Sequence, residues 1–265
     1  MILTPKLRQA SKSRQPYRIN DFPNGFTESV AKEIFLNRAT SLFSSDKVDV
    51  KGDEWEQIFA NAIKANRDSA VAEGLDDIQD WKTSTAWGAK TVKWTHKADI
   101  VPKIKAGKAK LRLIIGRNSP VYSFERALDP KRDDPKEVGD LVLEIWNQRV
   151  SNVRTKFRTI RTVVLVKCES LKRVIIFEKE TELFDLGEYD WAWNVRDNLI
   201  GSLQGVPKFT WQPHGSQFTI MNVEIPKEAL IVDIEDPQAF PRDKLLKLSG
   251  WDNKKYHAFK VSDSD

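Results

Sequence analysis

Residues 161–168 read RTVVLVKC, an apolar run of β-formers with little polar interruption. Such a strand is of the buried type, so the rest of the chain must supply layers that cover it. The SLK segment at 170–172 turns the chain into RVIIFEKE, which reads as its hairpin partner. Upstream, Pro135–Phe157 carries Val138, Val142, Ile145, Trp146, Val150 and Val153 at helical spacing. Further helices are expected at Thr27–Phe43, with Thr27 as the cap, and from near Asp53. In the latter Trp55, Ile58, Phe59, Ala62 and Ile63 share one face, and Gly74 is expected to stop it at EGLDD. Strands are expected at TAWGAKTVKW and KLRLIIG and, beyond residue 180, at WAWNV, KFTWQ and SQFTIMNVEI. The order helix, strands, helix, strand predicts an α/β (α+β) fold: a mixed central sheet flanked by helices, with a C-terminal β-rich elaboration.

Three stretches follow from this reading: a basic arm and helix over 1–50, a core over 51–170, and a β-rich region over 171–265. They are expected to form one continuous unit, since neither a repeat nor a low-complexity linker separates them. Residues 1–25 read as an arm, polar and basic, with Pro5, Pro16 and Pro23. Cys168 is the only cysteine, so no intrachain disulfide forms. The opening MILTPKLRQ has no long apolar core, and no stretch approaches the ~20 apolar residues of a membrane span. A cytoplasmic protein without a membrane partner is expected.

Charge distribution points to a polyanionic partner. The formal net charge is +5, which decides little, but the cations are segregated. Nine Lys or Arg lie between Lys90 and Arg117 against one acid, Asp99, and eight lie between Arg149 and Arg173 against Glu169. The first eighteen residues add five cations and no acid. Such runs can line a surface that attracts phosphate.

Hydrolysis of a phosphodiester needs carboxylates to hold divalent cations and a cation near the attacking water or the phosphate. Glu56 on a helix, Asp77 at a helix-to-strand junction and Lys90 inside an apolar strand are the candidates. Strand alternation sets Trp87, Ala89 and Thr91 on one face and Gly88, Lys90 and Val92 on the other. Competing chemistries find no support: there is no P-loop, no GxGxxG and no GxSxG, so no nucleotide cofactor is expected. His96, His214 and His257 are too scattered for a local metal motif.

The stretch DDIQDWKTSTAWGAKT resembles motifs II and III of the PD-(D/E)XK nucleases, with GDEWEQIF as the preceding helix that lends a Glu. Pro135–Phe157 and RTVVLVKC match the family's downstream helix and strand, and LRLIIGRNSPVYSF and FTWQPHGSQFTI are similar to segments of type II restriction enzymes. The resemblance implies a restriction-endonuclease-like core and Mg2+-dependent cleavage of double-stranded DNA, with Mn2+ as a substitute, by a homodimer. It implies Asp77 as central metal ligand, Glu56 as a second carboxylate, the Ala89 carbonyl as a further ligand, and Lys90 acting on the water. Gly88 departs from the pattern, because the family's second acid stands two residues before the lysine. Asp80-Trp81-Lys82 is the rival triplet and Asp76 the rival acid. Lys93, Arg117 and Asn118 are expected to contact DNA. Asn194, Arg196, Gln212, His214 and Gln217, set among Trp191, Trp193 and Trp211, are expected to read base edges. The alternatives are a non-catalytic DNA-binding protein with a decayed site and a repair or nicking nuclease.

Overall fold

A computed structural model describes residues 15–45, 49–68, 74–96, 98–118, 133–168, 172–238 and 241–250. The basic arm over 1–14 lies outside the described residues, as does His257. The chain is mixed α and β, with helices α1 (Phe26–Ser45), α2 (Gly52–Ile63), α3 (Val101–Lys105), α4 (Pro135–Arg154) and α5 (Arg242–Leu248). The strands are β1 (Asn66–Arg67), β2 (Ile78–Asp80), β3 (Thr85–Lys93), β4 (Lys110–Arg117), β5 (Thr159–Cys168), β6 (Arg173–Glu180), β7 (Asp190–Trp193), β8 (Leu199–Leu203), β9 (Val206–Gln212), β10 (Gln217–Glu224) and β11 (Leu230–Asp233). Among the described residues, no helix is long and apolar enough to cross a membrane.

The strands form two sheets. The first is mixed, in the order β1-β2-β3-β5-β6-β11, with β3 and β5 parallel and the other neighbours antiparallel. The second is antiparallel, in the order β4-β10-β9-β8-β7. The RTVVLVKC run is buried on both faces for a clear reason. Val163 and Leu165 pack under α1 and α2, while Val164 and Val166 face α4 and the second sheet. Period-2 alternation thus sends Val163, Val164, Leu165 and Val166 by turns into one core and the other, so none of these four positions is polar.

Helix α4 starts where Asp134 accepts hydrogen bonds from the Lys136 and Glu137 amides, with Pro135 in the first turn. Its Val142, Trp146 and Val150 enter the core shared by both sheets. Helix α2 ends at Ile63 rather than near Gly74, because Lys64 takes a left-handed conformation (φ 58°) and the chain turns into β1. Helix α1 begins at Phe26, one residue before the expected cap, with the buried Phe26 ring stacked on Phe22 at 4.2 Å.

The boundary drawn at 170 falls between two hydrogen-bonded neighbours, β5 and β6, and the C-terminal strands are shared between both sheets. Residues 15–25 are no loose arm. Tyr17 donates to Glu178 at 3.0 Å, the Asn20 amide donates to the same carboxylate, and the Arg161 guanidinium stands over the Tyr17 ring. Glu178 is fully buried and also receives the Trp87 indole at 2.6 Å and Arg161 at 3.2 Å. Every oxygen of a buried charge is thereby met, which its burial requires. The same cluster ties β3, through Trp87, to β5 and β6.

Candidate active site

Strand β3 positions the site. Its odd residues Trp87 and Ala89 enter the core under α1 and α2, and its even residues Ala86 and Val92 face the α4 side. Lys90 therefore projects on the α4 side, where its amine donates to the Gly74 carbonyl at 3.3 Å. Ile78 of β2 pairs with Trp87. One step back along β2 sets Asp77 opposite Gly88, on the Lys90 face. Alternation thus brings a carboxyl and an amine, thirteen positions apart in the sequence, to one face of two adjoining strands.

Gly88 has no room for the acid that the family pattern puts there. A Cβ at this position would stand 3.0 Å from the Gly74 carbonyl oxygen and 3.2 Å from the Leu75 Cα. Both neighbours are backbone, so the close approach of the 74–75 segment favours glycine.

Burial and neighbouring charges move Asp77 and Lys90 away from their usual ranges. Burial pushes the Asp77 carboxyl up to about 6; Lys90 pulls it down, whereas Glu56 and Asp76 raise it further. Burial also holds the Lys90 amine below the usual lysine range, against the opposing pull of Asp77 and Glu56. Mutual perturbation of this kind is typical of functional sites, where unlike groups are held together out of water.

Glu56 lies half-buried on α2 and acts electrostatically on both Asp77 and Lys90. It also receives Arg67 of β1, with Nε and Nη2 both donating to its Oε2 at 3.2 and 3.0 Å. Oε1 is outside that pair. Among the described residues there is no group of three or more His, Cys, Asp or Glu able to hold a metal ion. Two carboxylates and a backbone carbonyl do not make a closed cage. Mg2+ in general takes oxygen donors, uses one or two carboxylates and keeps several waters.

Arg149 of α4 completes the site and was not anticipated as a site residue. Its charge lowers the pKa of both Asp77 and Lys90. Its Nη2 lies 3.4 Å from where a Cβ of Gly74 would be, and its Nη1 donates to Asn118 Oδ1 at 3.0 Å. Gly116 gives it passage, since a Cβ there would meet Nη1 at 2.6 Å. No family model matches the sequence, and neither a curated protein nor a solved structure is similar to it. The only sequence signal for Arg149 was its place at the head of the second basic run.

The rival triplet falls elsewhere, whereas the rival acid Asp76 stays close enough to Asp77 to act on it. Asp80, Trp81 and Lys82 form the turn between β2 and β3, where Asp80 accepts from the Lys82 amide and the Thr83 hydroxyl and Lys82 is exposed. Asp76 is fully buried, and Lys156 stands 3.6 Å from its Oδ2, while neither of its oxygens has a hydrogen-bond partner. The Ala89 side chain points into the α2-side core, so only its backbone is available to the site.

The expected DNA contacts divide. Asn118 is a correction: it is fully buried, donating to the Val142 carbonyl, accepting from Arg149, and offering its own carbonyl to the Trp211 indole. It joins α4 to the second sheet and has no surface for DNA. Asn194 is half corrected, because its side-chain oxygen closes the β7–β8 turn by accepting from the Arg196 and Asn198 amides. Arg117, Gln217 and Gln212 form a cross-strand row on β4, β10 and β9. His214 and Arg196 are exposed on turns beside that row, and Lys93 is exposed at the end of β3.

Proposed function

We propose that this protein is a Mg2+-dependent endonuclease that hydrolyses phosphodiester bonds in double-stranded DNA, a type II restriction enzyme with a restriction-endonuclease-like core, working as a homodimer in the cytoplasm. The observation that carries the reading is the pairing of Asp77 and Lys90 on one buried strand face, with Glu56 acting on both. The succession α2, β1, β2, β3, α3, β4, α4, β5 supports it, because it keeps the resembled family's order of helix, strands, helix and strand, with α3 and β4 set between β3 and α4. A homodimer fits the need to cut two strands of a palindromic site.

Asp77, the Oε1 of Glu56 and the Ala89 carbonyl would hold Mg2+. When bound, the ion polarises the phosphate and lowers the pKa of a coordinated water. Lys90, half-buried and less basic than an exposed lysine, orients the attacking water and exchanges a proton with it more readily. Arg149 offers a fixed positive charge for the phosphate beside it. The Gly74–Leu75 backbone lies against Gly88, and its Gly74 carbonyl receives the Lys90 amine.

A second reading, a DNA-binding protein with a decayed site, is favoured by the Arg67 clamp on Glu56 and the absence of an acid at 88. Plasmid DNA incubated with Mg2+ separates the two. Discrete fragments from the natural chain, and loss of cleavage by about a hundredfold or more in Asp77→Ala and Lys90→Ala, support the enzyme. Cleavage that survives both substitutions sinks the site. Salt-dependent binding in EDTA without cleavage at any Mg2+ or Mn2+ level selects the binding protein, and nicks or structure-specific products select a repair or nicking enzyme.

A further inference from the structure

Strand β4 alternates cleanly: Leu111, Leu113 and Ile115 are buried in the core, while Arg112 and Ile114 are exposed on the opposite face of the second sheet. That outer face holds two hollows that share Arg112. The first, about 300 Å³, lies at its junction with β3 and is lined by Lys93, Trp94, His96, Lys110 and Arg112 among others. The second, about 350 Å³, is lined by Arg112, Asn194, Arg196, Thr210 and Gln212 among others. Among the described residues no acid lines either hollow, although Lys110 of the first is paired with Glu224 at 3.5 Å. In a chain with 38 acids, a solvated face would mix both signs.

Two details point to a ligand rather than to water alone. The Arg112 guanidinium has neither a hydrogen bond nor an ion pair with any described residue. The Thr210 hydroxyl, on a residue 6% exposed that lines the second hollow, is buried and has no hydrogen-bond partner. The first hollow also adjoins the candidate active site. Val92, which lines it, is two residues beyond Lys90 on the same face of β3, about 7 Å along the strand.

We propose that Arg112 is the central phosphate anchor of a tract along which one strand of a DNA duplex passes from the Asp77–Lys90 site, through both hollows, to the turn bearing Arg196. The assignment rests on DNA being the substrate. Arg112 serves both hollows with one planar, permanently charged group, as phosphate oxygens require. Thr210 and Gln212 border the second hollow with polar atoms and so stand beside the bases of the anchored strand.

Fluorescence anisotropy with a labelled duplex of about 30 base pairs, with Ca2+ replacing Mg2+ and salt varied, tests this. Arg112→Glu is expected to weaken binding about tenfold or more and to reduce the salt slope by about one. Arg112→Gln should shift both in the same direction by less, and Arg112→Lys should retain most of the affinity. Lys103→Glu on α3, outside both hollows, controls for net charge and should change binding less than about twofold. The tract is overturned if Arg112→Glu binds like the natural chain, if Lys103→Glu weakens binding equally, if the natural chain binds no duplex, or if it prefers a single strand of equal length. Arg112-dependent binding without cleavage at any Mg2+ or Mn2+ level keeps the tract and removes the nuclease; cleavage with Arg112-independent binding does the reverse.

Discussion

Arg149 donates to Asn118 Oδ1 at 3.0 Å while its charge acts on Asp77 and Lys90, so one guanidinium couples the second sheet to the candidate site. Arg149→Ala leaves a buried amide oxygen without its donor and should cost about 1–3 kcal/mol in urea unfolding. It also removes a cation that depresses the Lys90 pKa, so Lys90 should titrate at higher pH by NMR. Arg149→Lys keeps the charge and loses the fork. It should return the Lys90 titration toward its original place without recovering the stability. A Lys90 titration unmoved by either change would contradict the coupling.

Asp77 dictates a pH dependence. Its folded-state pKa, about 6, lies above the ordinary 3.8, so ionisation destabilises the metal-free fold. The stability this group contributes is fully present below the ordinary value and is lost as pH rises through about 6. Melting of the metal-free protein should therefore shift down between pH 4 and 7 by more than in Asp77→Asn. Metal binding needs the carboxylate, so affinity for Mg2+ should fall about tenfold per pH unit below about 6. Calorimetric titration across that range reads it directly, and a flat profile counts against Asp77 as ligand.

Restoring the family's acid should do harm. Gly88→Asp forces a Cβ against the Gly74 carbonyl and the Leu75 Cα, both backbone atoms. A loss of about 1–3 kcal/mol is expected, with no gain in plasmid cleavage. An unchanged urea midpoint with faster cutting would show that the 74–75 segment yields.

Gly139 of α4 lies against the Trp191 indole, and a Cβ there would come within 2.1 Å of Trp191 Cδ2. In an open helix interior, glycine to alanine stabilises by about 1 kcal/mol. Here the sign should reverse, with Gly139→Ala losing about 1–3 kcal/mol and altering the near-ultraviolet circular dichroism of Trp191.

Long elements with strong periodicity were legible from residues alone. The double burial of β5 follows from its unbroken apolar run, and Lys90 faces away from Trp87 and Ala89 as strand alternation requires. Local composition also separates Lys90, in the apolar strand β3, from Lys82, in the turn that follows β2. What was illegible depends on tertiary approach. Nothing near Lys64 announces a left-handed helix end, and α3 is too short for a periodic signal. Asn118 reads as a turn residue, yet its environment comes from Val142, Arg149 and Trp211, all distant in sequence. The partner of β4 is equally silent in the sequence, because an alternating strand specifies a face and not a neighbour.

The second sheet draws its first strand, β4, from between β3 and α4, and its other four from the excursion between β6 and β11. That excursion leaves and rejoins the first sheet at adjacent strands, with Leu230 opposite Ile176. Residues 181–229 can thus be replaced without rethreading the central layer, provided the replacement covers the core they share with it and pairs with β4. Arg112 and Arg117 would stay behind on β4, however, because they are carried by the other stretch of chain. Any transplant meant to change what the outer face recognises has to bring two separate pieces and match them strand to strand.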